Sequence, residues 1–145
     1  IERFGPPALV VGCAGRRDDG LLVMQSPDRW RAVLDDNVLA VYHPLRAFLP
    51  AMVRARRGSV VTVASAAAVV ASPGQTAYSA AKAAVIGLTR TLALEYAKFG
   101  ITVNCVAPGP VMTRMLAGVP EAIREKIETE PKVRNWFQDL TRLST

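Results

Sequence analysis

Residues 59–64 read SVVTVA, residues 101–107 read ITVNCVA, and between them residues 75–98 read QTAYSAAKAAVIGLTRTLALEYAK. The two outer runs are short, apolar and rich in β-branched residues. Neither alternates polar with apolar, the pattern of strands in a parallel sheet covered on both faces. The intervening stretch has helical spacing instead. Ala77, Ala81, Ala84, Val85, Leu88 and Leu92 make one apolar face, and Pro73-Gly74 before it and Gly100 after it mark its ends. A strand, a long helix and a second strand of the same kind predict a βαβ crossover.

Upstream, residues 8–13 (ALVVGC) form a third run of the same type. Ser26-Pro27-Asp28 then opens a helix with a cap residue, a proline at the first helical position and an acid in the first turn. Its apolar positions are Trp30, Val33, Leu34, Val38 and Val41, and Pro44 is expected to kink it by removing the bond to the Ala40 carbonyl. A shorter helix is expected over residues 120–130, ending at Pro131. Strand–helix–strand–helix–strand–helix is the order of a layered α/β domain with a parallel sheet.

The 145 residues suit one domain with a buried core. The longest uncharged apolar stretch, residues 59–72, is short of the ~20 residues needed to cross a bilayer. The opening IERFG carries no apolar leader, so a cytoplasmic protein without membrane attachment is expected. Net charge is +6, but the basic residues are dispersed and mostly Arg, with neither a charge run nor interleaved aromatics. Nucleic acid is therefore not the expected partner, and an anionic cofactor or partner is. The two cysteines, Cys13 and Cys105, lie inside apolar runs and read as buried free thiols of a reducing compartment. No metal site is read.

Ligands of open α/β sheets bind beyond the carboxyl ends of the strands. Three places qualify: Cys13-Ala14-Gly15, Ser65, and Pro108-Gly109-Pro110. Beside them, Tyr78 and Lys82 are four residues apart and so share a helix face. A phenol is a poor acid–base group at neutral pH, and a fixed ammonium nearby favours its ionised form. Such a pair can exchange a proton with a carbonyl or alcohol oxygen. Tyr-x-x-x-Lys alone is unspecific, because a half-buried tyrosine and a solvated lysine occur in many helices. The wider register is specific: Ser65 precedes Tyr78 by 13 residues, Asn37 precedes Ser65 by 28, and Pro108-Gly109 follows Lys82 by 26. His43, the single histidine, reads as structural and away from the strand ends, and Trp30, Trp136 and Phe137 read as packing.

AYSAAKAA, ITVNCVAPGPV and Ser65 together resemble the short-chain dehydrogenase/reductase family. RRDDGLL followed by MQSPDRWRAVLDDN resembles its 3-oxoacyl-(acyl-carrier-protein) reductase branch, and the likeness runs over residues 3–118. The resemblance implies a Rossmann-like three-layer α/β/α fold, of which 145 residues hold about three of seven parallel strands. It implies reduction of a ketone with a nicotinamide cofactor, NADP(H) ahead of NAD(H) with the choice between them open, in a fatty-acid biosynthetic setting. Tyr78 is then the general acid, Ser65 bonds the substrate oxygen, and Lys82 supports Tyr78 and holds the ribose. Asn37 lies where the helix is distorted, its backbone carbonyl serving a water relay. Cys13, Ala14, Gly15, Pro108, Gly109, Val111 and Thr113 line the cofactor with Tyr78 and Lys82. The implied partners are an acyl-carrier-protein-bound or small-molecule ketone, met by Arg54, Arg56 and Arg57, and further copies of the chain in a homotetramer.

The chain departs from that family in two ways. Gly12-Cys13-Ala14-Gly15 stands where the family carries Asn-Asn-Ala-Gly, and no Gly-x-x-x-Gly-x-Gly turn is present. The diphosphate-binding half and the last strand are therefore expected to lie in a longer polypeptide, with residues 1–145 its central, catalytic part. In that strand order Cys13 and Cys105 fall roughly 9–10 Å apart at ~4.8 Å per strand, beyond disulfide reach. Sugar, steroid or polyketide ketones remain open as substrates. So does a non-catalytic structural subunit of the same fold.

Overall fold

The structure is a computed structural model that describes residues 5–109 and Glu121. Three strands form one parallel sheet in sequence order: β1 (Leu9–Gly12), β2 (Gly58–Val63) and β3 (Ile101–Val106). Their bounds fall within a residue or two of the three β-branched runs. Val10 pairs with Val60 and Val60 with Val103, so one row of valines crosses the sheet.

α1 (Pro27–Leu34) starts as its cap residues dictate, with Ser26 Oγ accepting from the Arg29 amide at 3.3 Å. A wide π-helical turn follows over Asp35–Leu39, where the Ala40 amide reaches the Asp35 carbonyl, before α2 (Ala40–Ala55). α2 continues through Pro44 and Pro50, and the distortion expected at Asn37 is this wide turn. Within this turn Asn37 Nδ2 donates to the Val33 carbonyl at 2.8 Å, the acceptor a regular helix would reserve for the Asn37 amide. α2 ends at Arg56, in left-handed conformation at φ 51°.

α3 (Thr76–Ala97) returns the chain from β2 to β3. It buries Ala77, Tyr78, Ala81, Lys82, Val85 and Thr89, whereas Ala84, expected in the apolar face, is exposed. A helix this rich in alanine barely distinguishes its faces by hydropathy, and Tyr78 and Lys82 turn inward with the alanines.

α2 and α3 lie on the same face of the sheet, where Val41, Leu45, Leu49, Met52 and Val85 close over Val10, Val60, Ile101 and Val103. The opposite face leaves Leu9, Val11 and Val106 half exposed, so the described residues supply a helical layer on one side, not both. The expected helix at 120–130, the candidate positions Val111 and Thr113, and Trp136 and Phe137 lie outside the described residues. None of the described helices is long and apolar enough to cross a membrane.

Candidate functional site at the carboxyl ends of the strands

The exits of β2 and β3 are fastened together. The Ala64 amide donates to the Val106 carbonyl at 2.8 Å and the Ala66 amide to the Pro108 carbonyl at 2.9 Å. Ser65 and the Pro108-Gly109 loop therefore stand side by side. Ser65 also caps a short 3-10 turn over Ala66–Ala68, its Oγ accepting from the Ala67 amide at 3.2 Å. With one acceptor lone pair so used, Ser65 keeps its hydroxyl hydrogen and a second lone pair for a ligand.

Tyr78 and Lys82 face this turn from the first half of α3. Tyr78 is buried with Val33 and Ala77, and Trp30 and Ala67 pack on that cluster, which joins the Ser65 turn to α1 and α3. Trp30 is thus packing, as its sequence context suggests. Lys82 is only 3% exposed, and its Nζ lies 5.7 Å from the Tyr78 ring centre. Nζ donates to the Val63 carbonyl at 2.9 Å and makes no ion pair among the described residues. Burial pushes the Lys82 ammonium below its usual pKa, with the Cys105 and Cys13 thiols acting weakly the other way. One of its three N–H groups is used, leaving two for a ligand.

Asn37 completes the group from the wide turn. It is fully buried; besides the Val33 carbonyl, its Nδ2 donates to the Arg16 carbonyl at 2.8 Å. Oδ1 is buried with no partner among the described residues. A Cβ built on Gly15 would sit 2.5 Å from that Oδ1 and 3.1 Å from Lys82 Nζ, so the loop after β1 closes the same site. Sequence reasoning singled out Asn37, Ser65, Tyr78, Lys82 and the Cys13-Ala14-Gly15 and Pro108-Gly109 loops, and these all lie at one end of the sheet. It missed the tie from Asn37 to Arg16, whose signal exists only in three dimensions.

Three expectations change. Cys13 is exposed rather than buried, because β1 ends at Gly12 and the thiol stands beyond the last paired residue. Cys105 is partly buried, and both thiols are free. His43 is exposed and lines a shallow recess with Ala14, Gly15, Arg16, Asp35 and Asp36, beside the β1 exit rather than away from it. The Arg56 guanidinium donates to the Lys98 carbonyl at 2.8 Å, fastening the end of α2 to that of α3. Arg54 and Arg57 beside it make no such bond to the described residues. Among the described residues, no group of three or more His, Cys, Asp or Glu is placed to hold a metal ion.

A profile of the family described as short chain dehydrogenase matches residues 1–124. The chain belongs to the short-chain dehydrogenase family. It is 40% identical over 125 residues to a 3-oxoacyl-[acyl-carrier-protein] reductase of Thermotoga maritima, covering 86% of this chain and 51% of the relative. Identity to the Staphylococcus aureus protein of the same name is 35% over 139 residues, covering 96% and 56%. The crystal structure of a 3-oxoacyl-[acyl-carrier protein] reductase from Brucella melitensis superposes with a TM-score of 0.79 at 37% identity, over 86% of this chain and 49% of that one. A second Brucella melitensis reductase structure, with bound NAD, gives 0.77 at 35% identity, over 87% and 48%. This short-chain dehydrogenase thus spans about half the length of the relatives it matches, and its three strands are a parallel part of their Rossmann-like fold.

Proposed function

We propose that this chain carries the catalytic part of a cytoplasmic NAD(P)H-dependent reductase that converts the ketone of a 3-oxoacyl thioester to a secondary alcohol. One observation carries the reading: a buried lysine, with no ion pair among the described residues, one helical turn from Tyr78, with Ser65 on the adjoining strand exit. A buried cation without a counter-charge is costly and persists where a site uses it. The names of its relatives support the substrate class.

The site suits a nicotinamide nucleotide. Lys82 has two unspent N–H groups, Asn37 Oδ1 is an orphaned acceptor, and Gly15 lacks the side chain that would fill the space beside both. Cys13, Ala14 and Gly15 would flank the ribose through their backbone, and Pro108 and Gly109, with Val111 and Thr113, the nicotinamide. That cofactor, when bound, supplies a hydride. Tyr78 Oη gives its proton to the substrate oxygen as charge builds there. Ser65 donates its hydroxyl hydrogen to the same oxygen, a bond that strengthens as the oxygen becomes negative. Lys82 keeps positive charge beside the phenol. Asn37 presents its backbone carbonyl to a water that returns protons from solvent. NADP(H) is the expected dinucleotide, although one similar structure holds NAD.

The carrier protein implied by the relatives' names is acidic in this reading, and Arg54 and Arg57 are its contacts. The working assembly is proposed to be a homotetramer, with the diphosphate-binding half on the same longer polypeptide. The test is oxidation of NADPH by the full-length protein with an acetoacetyl thioester. Tyr78→Phe should lower kcat by about 10²–10⁴, and an unchanged kcat overturns the assignment. Titrating the isolated 145 residues with NADPH checks the division of labour, and micromolar binding would contradict it.

A further inference from the structure

We infer that Gly15 is a positioning residue: the absence of a side chain there lets the Asn37 carboxamide and the Lys82 ammonium lie against one stretch of backbone. The glycine is needed for space, not conformation. Five residues have left-handed φ among those described, namely Gly5, Arg56, Gly58, Gly74 and Gly100, and Gly15 is not one of them. Any L-residue has the backbone that Gly15 adopts. What no other residue has is a hydrogen where a Cβ would stand 2.5 Å from Asn37 Oδ1, 3.4 Å from its Cγ and 3.1 Å from Lys82 Nζ. The first of these distances is well inside van der Waals contact, so something must move.

Asn37 cannot easily be what moves. Its carboxamide is fully buried and its Nδ2 is held by the Arg16 and Val33 carbonyls, both at 2.8 Å. Arg16 is the residue after Gly15, so shifting the loop to relieve the contact pulls on the same bond. Lys82 Nζ, 3.1 Å from the built Cβ, is tied to the Val63 carbonyl at 2.9 Å, on a residue only 3% exposed. The glycine, the Asn37 amide and the ammonium therefore form one interlocked contact. Loop placement sets the amide, and the amide and loop together set where the free N–H groups of Lys82 point. A methyl at residue 15 should reach the chemistry through Asn37 and Lys82, the nearest side chains to it.

The test compares Gly15→Ala with Gly87→Ala in the full-length protein, because a Cβ at Gly87 meets nothing within 4 Å. Two readouts are independent of activity: solvent exchange of the Asn37 side-chain amide protons, and the NMR titration of the Lys82 side chain. In Gly15→Ala the exchange should speed up at least about tenfold and the Lys82 titration should move, while Gly87→Ala changes neither. Unaltered exchange and titration in a folded Gly15→Ala protein overturn the inference. If Gly15→Ala folds poorly, the same substitution is made in an Asn37→Ala background, which removes the clashing oxygen. There it should lower the folding constant at least about tenfold less than in the natural sequence, the scale of coupling between touching residues; equal effects in both backgrounds also overturn it. A kinetic arm rests on the reductase reading, and predicts a lower kcat and a displaced pH profile with little change in substrate KM. A natural protein that reduces no ketone defeats that reading alone, since the exchange and titration results still decide the role of Gly15.

Discussion

The two ends of the sheet are built to different rules. At the amino ends of β2 and β3, strain and polarity are locally resolved. Arg56 adopts a left-handed conformation, its guanidinium closes on the Lys98 carbonyl, and Gly58, at φ 151°, leaves room for the Met52 sulfur, which would lie 2.8 Å from a Cβ. At the carboxyl ends the same chain buries a lysine that has no counter-ion among the described residues, leaves the Asn37 Oδ1 without a partner among them and widens a helical turn. A packed end and a poised end thus share one core. The departures gather where a ligand is to be received, which is where local rules are expected to give way.

The largest expected effect that would sharpen this contrast is at the poised end. Tyr78→Phe should cost a hundredfold or more in turnover, as argued above, while its unfolding free energy stays within about 1.5 kcal/mol of the natural protein, the value of a hydrogen bond. A variant that loses both equally would make Tyr78 a packing residue, and denaturant unfolding beside kinetics distinguishes the two. At the packed end the pattern should invert. Met52, fully buried in the core, when replaced by alanine should lower stability by about 2–5 kcal/mol while kcat per folded molecule is retained. If Met52→Ala instead abolished turnover in a folded protein, the two ends would not be separable.

Lys82 offers a test with a sign. Its pKa is depressed in the folded protein by burial, so the unfolded chain binds the proton more tightly. The stability cost is fully present below the depressed folded value. It is relieved as pH rises from there toward the ordinary lysine value near 10.5, where both states lose the proton. Lys82→Met should therefore be more stable than the natural protein at neutral pH, by a margin that narrows on the alkaline side, and catalytically dead. Thermal unfolding of the pair from pH 7 to 10.5 reads this directly. A margin that widens with pH would mean that the ammonium is stabilised where it lies.

Much of the fold was legible because a parallel sheet writes itself in β-branched runs and its crossovers in helical spacing. All three strands and the long α3 fall within two residues of their expected bounds. The poised end was legible as a set of spacings but not as geometry. Ala84 and Thr89 on α3 show why: alanine marks no face, so only tertiary packing decides that Thr89 turns inward, where it bonds Thr62 at 2.7 Å, and Ala84 outward. The bond from Asn37, in the wide turn at Asp35–Leu39, to Arg16, 21 residues earlier in the chain, is likewise one that no local pattern encodes. Cys13 looked buried for the converse reason: a run of apolar letters does not say which residue is the last to pair.

The smallest effect belongs to Arg56, and it separates the two uses that end of the sheet has been given. A left-handed arginine costs about 1–2 kcal/mol that glycine avoids, whereas the exposed bond from its guanidinium to Lys98 returns about 0.5–1.5 kcal/mol. Arg56→Gly gives up the bond and escapes the backbone cost, so its stability should stay within about 1 kcal/mol of the natural protein. Arg56→Ala loses the bond and keeps the backbone cost, and should fall below the glycine variant by roughly 1 kcal/mol. Chemical denaturation of both variants resolves that difference. The same proteins then bear on the docking reading. With the Arg56 side chain spent on Lys98, carrier-bound substrate should feel Arg57→Glu more than Arg56→Gly, seen as a higher KM with a small free ketone unaffected. A larger KM change for Arg56→Gly would mean that the guanidinium leaves Lys98 to meet the partner, and the packed end would then be poised as well.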